Sequence, residues 1–111
     1  MLGEFEYLIL TAAAGLGDKA YGAAIREEIE AATGRKCSLG ALYTTLDRLE
    51  AKGMVTSRMG EPTAQRGGRA KRYFKVTKAG TATVTRAQRA YQKLLSGLPL
   101  IGGAHASWCL C

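Results

Sequence analysis

The chain is poor in cysteine, proline and histidine, the residues that build disulfide scaffolds, stiff linkers and many catalytic sites. It contains three cysteines, two prolines and one histidine among 111 residues. Three cysteines in a chain of this length do not make a disulfide framework, and two prolines leave no room for a proline-rich linker. The length suits one domain and is too short for two. We therefore expect one globular domain that does not depend on disulfides.

Long apolar runs are also missing. The longest uncharged stretch near the start covers residues 7–17, and its 11 residues are too few to span a bilayer. The chain starts with acidic residues where a secretory signal would be basic, and Trp108 stands where a prenylation box would need cysteine. The sequence therefore predicts a soluble, cytoplasmic protein with no membrane partner.

Enzymatic and metal sites have little support in the sequence. The one histidine, His105, lies in a C-terminal segment without periodicity, and we find no nucleophile–base pair, phosphate-binding loop or dinucleotide-binding turn. The tail contains three residues of metal-ligating type, His105, Cys109 and Cys111, and the distant Cys37 is a fourth candidate. Zinc sites, however, usually have paired ligands at tighter spacing. We predict that the protein is not an enzyme and holds neither a cofactor nor a metal.

Basic residues outnumber acidic ones and are concentrated in one part of the chain. The formal net charge is +7. Residues 1–34 contain two basic and six acidic residues, whereas residues 35–111 contain fourteen basic and three acidic ones. The basic residues are densest between Arg58 and Lys78. Solvated faces usually mix the two signs, so this segregation favours a surface that binds a polyanion such as nucleic acid.

Hydrophobic spacing predicts three helices in the first half of the chain. Apolar residues at positions 2, 5, 9 and 12 repeat at helical spacing, and a second helix is predicted over residues 21–32 with Gly34 behind it. Ser38 is a favourable N-cap for a third helix. Its four leucines, at positions 39, 42, 46 and 49, form one stripe, so this helix turns small and polar residues outward.

The second half of the chain predicts a hairpin and one more helix. Two segments with strand character, 54–59 and 71–77, flank a glycine-rich loop, and a helix follows over 78–96. The predicted fold is mainly α with a small β-hairpin wing, which is a winged helix-turn-helix followed by a C-terminal helix. We assign 1–77 to the DNA-binding domain, 78–96 to the C-terminal helix and 97–111 to a tail of unknown structure.

Three segments of the chain resemble the PadR family of transcriptional regulators. They are 21–25, 38–50 together with 53–55, and 67–77 together with Gly80, and they occur in the order and spacing of that family. Thr44 is a departure, because many members carry proline there, and the tail after Gly97 has no counterpart. The resemblance implies a homodimeric repressor that binds a palindromic operator in double-stranded DNA and is released by a small molecule. It also implies that the helix after the wing, 78–96, is the dimerisation helix, with a contribution from the first helix.

Candidate DNA contacts lie on the third helix, just before it and along the hairpin. Thr44 and Thr45 are predicted to contact base edges, and the basic residues are predicted to contact phosphates. Adjacent glycines allow the tip of the wing to approach DNA closely. The fifteen candidates are Arg35, Lys36, Ser38, Ala41, Tyr43, Thr44, Thr45, Arg48, Arg66, Gly67, Gly68, Arg69, Lys71, Arg72 and Tyr73.

The sequence leaves alternatives open for several of these candidates. Tyr43 either packs at the edge of the leucine stripe or offers its hydroxyl to a phosphate. Arg48 either contacts DNA or pairs with a neighbouring acidic residue. Arg35 and Lys36 either clamp the DNA backbone or act as solubilising charges. Two other functions also stay open: a winged-helix module that binds an acidic protein, and a nucleic-acid coat that is indifferent to sequence.

The predicted dimer contacts come from the first and last helices, as the resemblance implies. Aromatic side chains near this seam suggest a flat apolar or phenolic effector, although such side chains are more often plain core. The sequence does not identify the effector. The predicted dimerisation residues are Leu2, Phe5, Ile9, Val84, Ala87, Tyr91, Leu94 and Leu95.

Overall fold

A computed structural model describes residues 3–60 and 71–98. In chain order, these residues form a 3₁₀ turn after the first helix, four helices and two strands. The elements are α1 (Glu4–Leu16), the turn Gly17–Lys19, α2 (Gly22–Thr33), α3 (Leu39–Ala51), β1 (Val55–Met59), β2 (Arg72–Val76) and α4 (Lys78–Ser96). This order confirms the predicted fold of three helices, a hairpin and a fourth helix.

The helix ends follow local hydrogen-bonding chemistry. Ser38 Oγ accepts the backbone N–H of Ala41 at 3.1 Å and so caps α3, as the sequence predicts. Thr77 Oγ accepts the N–H of Gly80 at 3.1 Å and caps α4 in the same way. Gly34 ends α2 in the left-handed conformation, with φ of 73°.

The core lies between the first three helices and one face of the hairpin. α1 contributes Ile9 and Leu10, which are fully buried. α2, α3 and the two strands each add one face at their own periodicity. The other buried hydrophobic residues are Ala13, Ala20, Ile25, Ile29, Leu42, Leu46, Leu49, Val55 and Phe74.

The burial of Ile9 corrects one prediction. Ile9 was expected on the dimer seam, but its side chain is 0% exposed within a single chain. A residue that is already covered by its own domain has no surface left for a second copy. At this position, the apolar surface of α1 therefore packs into the core of its own domain. Leu2, the other aliphatic seam residue of the first helix, lies outside the described residues.

β1 and β2 pair antiparallel, from Val55 opposite Val76 to Met59 opposite Arg72. The segment before α2 joins this sheet, since the N–H of Phe74 donates to the carbonyl of Ala20 at 2.8 Å. Successive residues of a strand point to opposite faces. Phe74 is therefore buried in the core, and its neighbours along β2 lie on the outer face of the sheet.

α4 leaves the domain after a tight first turn. A Cβ placed on Gly80 would lie 2.2 Å from the carbonyl oxygen of Met54, so only glycine fits at this crossing. Further along the helix, the Tyr91 ring contacts the Tyr7 ring of α1, with centroids 5.6 Å apart. The far end of α4 exposes large apolar side chains, including Leu94 at 72%. None of the described helices combines the length and the hydrophobicity needed to cross a membrane.

Candidate nucleic-acid interface

The outward face of α3 presents small side chains on a firmly anchored helix. Leu42, Leu46 and Leu49 are fully buried and fix the rotation of the helix about its axis. The opposite side is exposed and carries a glycine, an alanine and a threonine in the first turns, followed by a charged pair. These outward residues are Gly40, Ala41, Thr44, Asp47 and Arg48. Such a face lets a partner approach the helix backbone closely.

Thr45 does not belong to this face. Its side chain is 4% exposed, and its hydroxyl donates to the carbonyl of Ala41 at 3.0 Å. Each residue turns a helix by about 100°, and this rotation takes Thr45 to the core side while Thr44 faces outward. The prediction that Thr45 contacts a base edge is therefore wrong.

Tyr43 packs at the junction of α2, α3 and β2. Its ring centroid lies 6.2 Å from that of Phe74, and a Cβ on Gly22 would lie 2.1 Å from the Tyr43 hydroxyl. The phenol thus occupies space that glycine leaves free at the start of α2. The side chain is half-buried, as one of its two predicted alternatives requires, and its hydroxyl lies beside the first turn of α2. Within the described residues, no side chain caps that turn.

Arg72 ties the hairpin to α3. Its Nη2 lies 2.9 Å from an Asp47 carboxylate oxygen, 3.0 Å from one of Glu50 and 3.4 Å from Ser57 Oγ. Ser57 in turn donates to Glu50 at 3.0 Å. The sequence predicted a phosphate contact for Arg72. The structure instead engages its guanidinium with two carboxylates, because strand register places it over the polar side of α3.

The basic residues around α3 differ in their pairing. Arg35 Nη1 lies 2.8 Å from Glu4 Oε1, and both side chains are largely exposed. Exposed pairs of this kind contribute about 0–1 kcal/mol, so the contact is easily exchanged for a phosphate. Lys36 and Arg48 are exposed, and in the described part of the chain neither forms a salt bridge. The alternative in which Arg48 pairs with a neighbouring acidic residue is not seen.

The base of the wing combines aromatic rings with cations. Lys71 Nζ lies 4.1 Å from the ring centroid of Tyr21, and the guanidinium carbon of Arg58 lies 4.8 Å from that of Tyr73. The two rings meet edge to face, with centroids 5.6 Å apart. Arg58 was not among the residues predicted from the sequence to contact DNA, and the strand register puts it opposite Tyr73. Arg66, Gly67, Gly68 and Arg69 lie outside the described residues, and their DNA contacts stay predictions.

Glu6 is a buried carboxylate that sequence analysis also missed. It accepts hydrogen bonds from the Gly3 backbone at 3.1 Å and from Lys52 Nζ at 3.0 Å. Burial opposes its ionisation, but these hydrogen bonds, together with the charges of Lys52 and Arg48, lower the pKa of Glu6 below 4.5. The contact joins the start of α1 to the end of α3, the helix that carries the outward face.

The exposure of the expected dimer residues of α4 increases along the helix. Val84 and Ala87 are half-buried, whereas Tyr91 is 52% and Leu94 72% exposed. Leu95 and Phe5 of α1 are half-buried. The described residues leave this apolar stripe open to solvent at its C-terminal end.

No metal site is formed by the described residues. They contain no group of three or more His, Cys, Asp or Glu side chains that would hold an ion. Cys37 is a free thiol of intermediate exposure beside the α3 cap. The tail residues His105, Cys109 and Cys111 lie outside the described residues.

Comparisons with known proteins agree with this architecture. Residues 10–86 match the model of the transcriptional regulator PadR-like family. A curated relative, transcriptional regulator Rv3488 of Mycobacterium tuberculosis, is 38% identical over 79 residues, which cover 69% of this chain and 67% of the relative.

Solved structures show the same fold. A PadR-like transcription factor from Bacteroides fragilis is 21% identical with a TM-score of 0.67, over 80% of this chain and 81% of its own. A PadR family transcription regulator from Clostridium difficile is 19% identical with a TM-score of 0.68, over 91% of this chain and 97% of its own. With a family match across most of its length, this chain belongs to the PadR-like family of transcriptional regulators.

Proposed function

We propose that this protein is a homodimeric repressor that binds a specific palindromic site in double-stranded DNA and is released by a small apolar or aromatic effector. The observation that carries the proposal is the outward face of α3. It is exposed, lined with small side chains and held in a fixed rotation by three buried leucines. Membership of a family of transcriptional regulators supports the same conclusion.

The dimensions and chemistry of α3 suit the major groove. That groove is about 12 Å wide and admits a helix whose outward side chains are short. Gly40 and Ala41 permit close approach, and Thr44 offers both a hydroxyl for a base edge and a methyl group for thymine. Thr44 is the residue of this face that we expect to read sequence.

Phosphate contacts would hold α3 in register. Lys36 and Arg48 flank the outward face at its two ends. The Tyr43 hydroxyl lies beside the uncapped first turn of α2, and backbone N–H groups at a helix N-terminus favour anions. Lys71 extends this cationic rim to the base of the wing. We expect Arg66 and Arg69 to continue it toward the neighbouring groove.

Dimerisation through α4 would bring together the outward α3 faces of two copies of the chain. Tyr91 and Leu94 form the exposed end of the apolar stripe, and Leu98 is exposed just after α4. These side chains need a cover, and a two-fold axis lets the same surface cover itself. Two α3 helices one helical turn of DNA apart then require a palindromic site. A dimer on promoter DNA excludes polymerase. An effector that enters beside the Tyr7–Tyr91 contact would change the angle between α4 and the domain.

The test is binding of the purified protein to DNA upstream of its own gene, against a scrambled duplex, across a salt titration. Preference for the native duplex that persists as salt rises supports the proposal. Equal and steeply salt-sensitive binding to both duplexes would indicate a sequence-indifferent coat. No binding to either at low salt would favour a protein-interaction module.

Thr44 and Thr45 provide a matched pair of variants for the same assay. Thr44→Ala should change which base pairs are preferred, with a loss of about 1–3 kcal/mol at the contacted position. Thr45→Ala should leave base preference unchanged, because its hydroxyl is turned into the helix. A change of preference in Thr45→Ala alone would contradict the assigned face.

A further inference from the structure

The outer face of the hairpin carries cations that are separate from the α3 surface. Arg58 of β1 and Lys75 of β2 point away from the core, on the face opposite to buried Phe74. Lys71, which directly precedes β2, lies against Tyr21 at the edge of the same face. We call Arg58, Lys71 and Lys75 the outer cation patch.

Two members of the outer cation patch are held in place by aromatic rings. Lys71 lies over Tyr21 and Arg58 over Tyr73, while the two rings contact each other edge to face. A cation on a ring face keeps its full positive charge while its side chain is ordered. Because of this ordering, less conformational entropy is lost when an anion binds.

The outer cation patch also differs from the other cations in its electrostatic partners. The salt bridges of residues 3–60 and 71–98 use Arg35, Lys52 and Arg72, and none of the three patch cations has a carboxylate within 4.0 Å there. Asp18 is an acidic side chain beside the patch, since it lines the same shallow cavity as Arg58 and Lys75. The face therefore keeps an excess of positive charge.

We infer that the outer cation patch binds the phosphate backbone of DNA that flanks the segment read by α3, an inference that rests on the proposed function. Lys71 belongs both to the rim of the α3 surface and to the patch, so the two surfaces are continuous. From Lys71 to Lys75 the strand extends about 13 Å, which matches roughly four base pairs of duplex. An acidic protein would satisfy the same charges, but DNA already lies at the Lys71 end of this face in the proposed complex.

The experiment compares two duplexes centred on the same binding site. One is about 20 base pairs long and just covers two half-sites, and the other is about 40 base pairs long. Affinity and its salt dependence are measured on both for the wild type and for the double variant Arg58→Gln/Lys75→Gln. The control is Arg86→Gln/Arg89→Gln, which removes the same charge from exposed positions on α4. Circular dichroism checks that each variant folds.

The expected result is a loss of affinity that depends on duplex length. Wild type and control bind the long duplex more tightly than the short one, with a steeper salt slope. In Arg58→Gln/Lys75→Gln the short duplex binds as in wild type, and the slope on the long duplex falls by about 0.9 for each phosphate that the variant leaves unneutralised. Asp18→Asn should act in the opposite direction and strengthen binding to the long duplex.

Three outcomes would overturn the inference. An unchanged length dependence in the folded double variant would show that the patch does not contact DNA and would favour an acidic protein partner. Equal weakening on both duplexes would place the patch inside the core footprint. Equal losses of affinity in the variant and the α4 control would mean that the loss comes from the lower net charge and not from the position of the patch. If the wild type binds neither duplex, the proposed function fails as well, so the two failures are distinguishable.

Discussion

At the scale of single residues, the carboxylates around a cation decide its role more than its position in the chain does. Arg72 lies beside two acidic side chains of α3, whereas Lys71, its neighbour in the chain, lies over an aromatic ring. Adjacent residues of a strand point to opposite faces and so meet different partners. One of them fixes the wing to α3, and we expect its neighbour to bind an external anion.

This difference gives a prediction that separates stability from binding. Arg72→Gln should lower the free energy of unfolding by about 1 kcal/mol, because it removes a partly exposed charge network. Lys71→Gln should leave stability within about 0.5 kcal/mol and reduce the salt slope of DNA binding instead. Urea denaturation and a salt titration on both variants provide the comparison.

A double-mutant cycle makes the Arg72 assignment sharper. In a Glu50→Gln background, the cost of Arg72→Gln should shrink, since the two groups contact each other at 3.0 Å. Equal costs in both backgrounds would mean that the Arg72–Glu50 pair contributes nothing to stability, which would leave Asp47 as the carboxylate that holds the guanidinium.

Glu6 gives a pH-dependent prediction at the same scale. Its pKa is lower in the folded state than the unperturbed 4.5, so its ionised form stabilises the fold above that pH. This contribution is lost as the pH falls through the folded-state value, because the unfolded chain then binds its proton more readily. The stability difference between wild type and Glu6→Gln should be largest at neutral pH and decline below pH 4.5. Urea denaturation at a series of pH values measures it, and a pH-independent difference would contradict the role of Lys52 and Gly3.

At the scale of the elements, contacts at crossings override local propensity. Gly80 lies in the first turn of α4, where glycine is about 1 kcal/mol less favourable than alanine. The carbonyl of Met54 is nevertheless so close that a Cβ would meet it at 2.2 Å. We expect Gly80→Ala to destabilise the fold by about 1–3 kcal/mol, since backbone has to shift.

The control for this prediction is an exposed position on the same helix. Ala82→Gly should cost about 1 kcal/mol through propensity alone. Thermal unfolding of both variants distinguishes the two effects. A stabilised Gly80→Ala would show that the crossing relaxes at little cost.

The elements themselves could be predicted from the sequence, whereas their lateral contacts could not. The spacing of its leucines and the favourable cap at Ser38 were enough to place α3. The Glu6–Lys52 contact joins residues 46 positions apart, and no local pattern signals it. Thr45 failed for a related reason, because Thr44 and Thr45 are chemically identical and a rotation of about 100° decides which of them faces outward.

At the scale of the whole molecule, the fold separates a core domain from a protruding helix. The domain buries its own apolar residues, including Ile9, which the sequence had suggested for the dimer seam. α4 has Gly80 as its buried residue, and its apolar stripe is increasingly exposed toward the C-terminal end. We expect hydrophobic side chains in this arrangement to be covered by a second copy of the chain rather than by folding of the first.

The last prediction concerns this second copy. Leu94→Glu should convert a dimer into a monomer, because a carboxylate at the centre of an apolar seam has to be desolvated. Gln92→Glu adds the same charge at an exposed position off the stripe and should leave the dimer intact. Sedimentation velocity across a range of protein concentrations reports the mass of each variant.

The same variants connect assembly to DNA binding. A monomer offers one α3 helix, so Leu94→Glu should lose most of its affinity for a palindromic duplex while keeping weak binding to a half-site. Its domain should unfold with wild-type cooperativity in urea, since Leu94 is 72% exposed and contributes little to the core of one chain. A Leu94→Glu protein that stays dimeric, or a wild type that is monomeric at every concentration, would contradict dimerisation through the apolar stripe of α4.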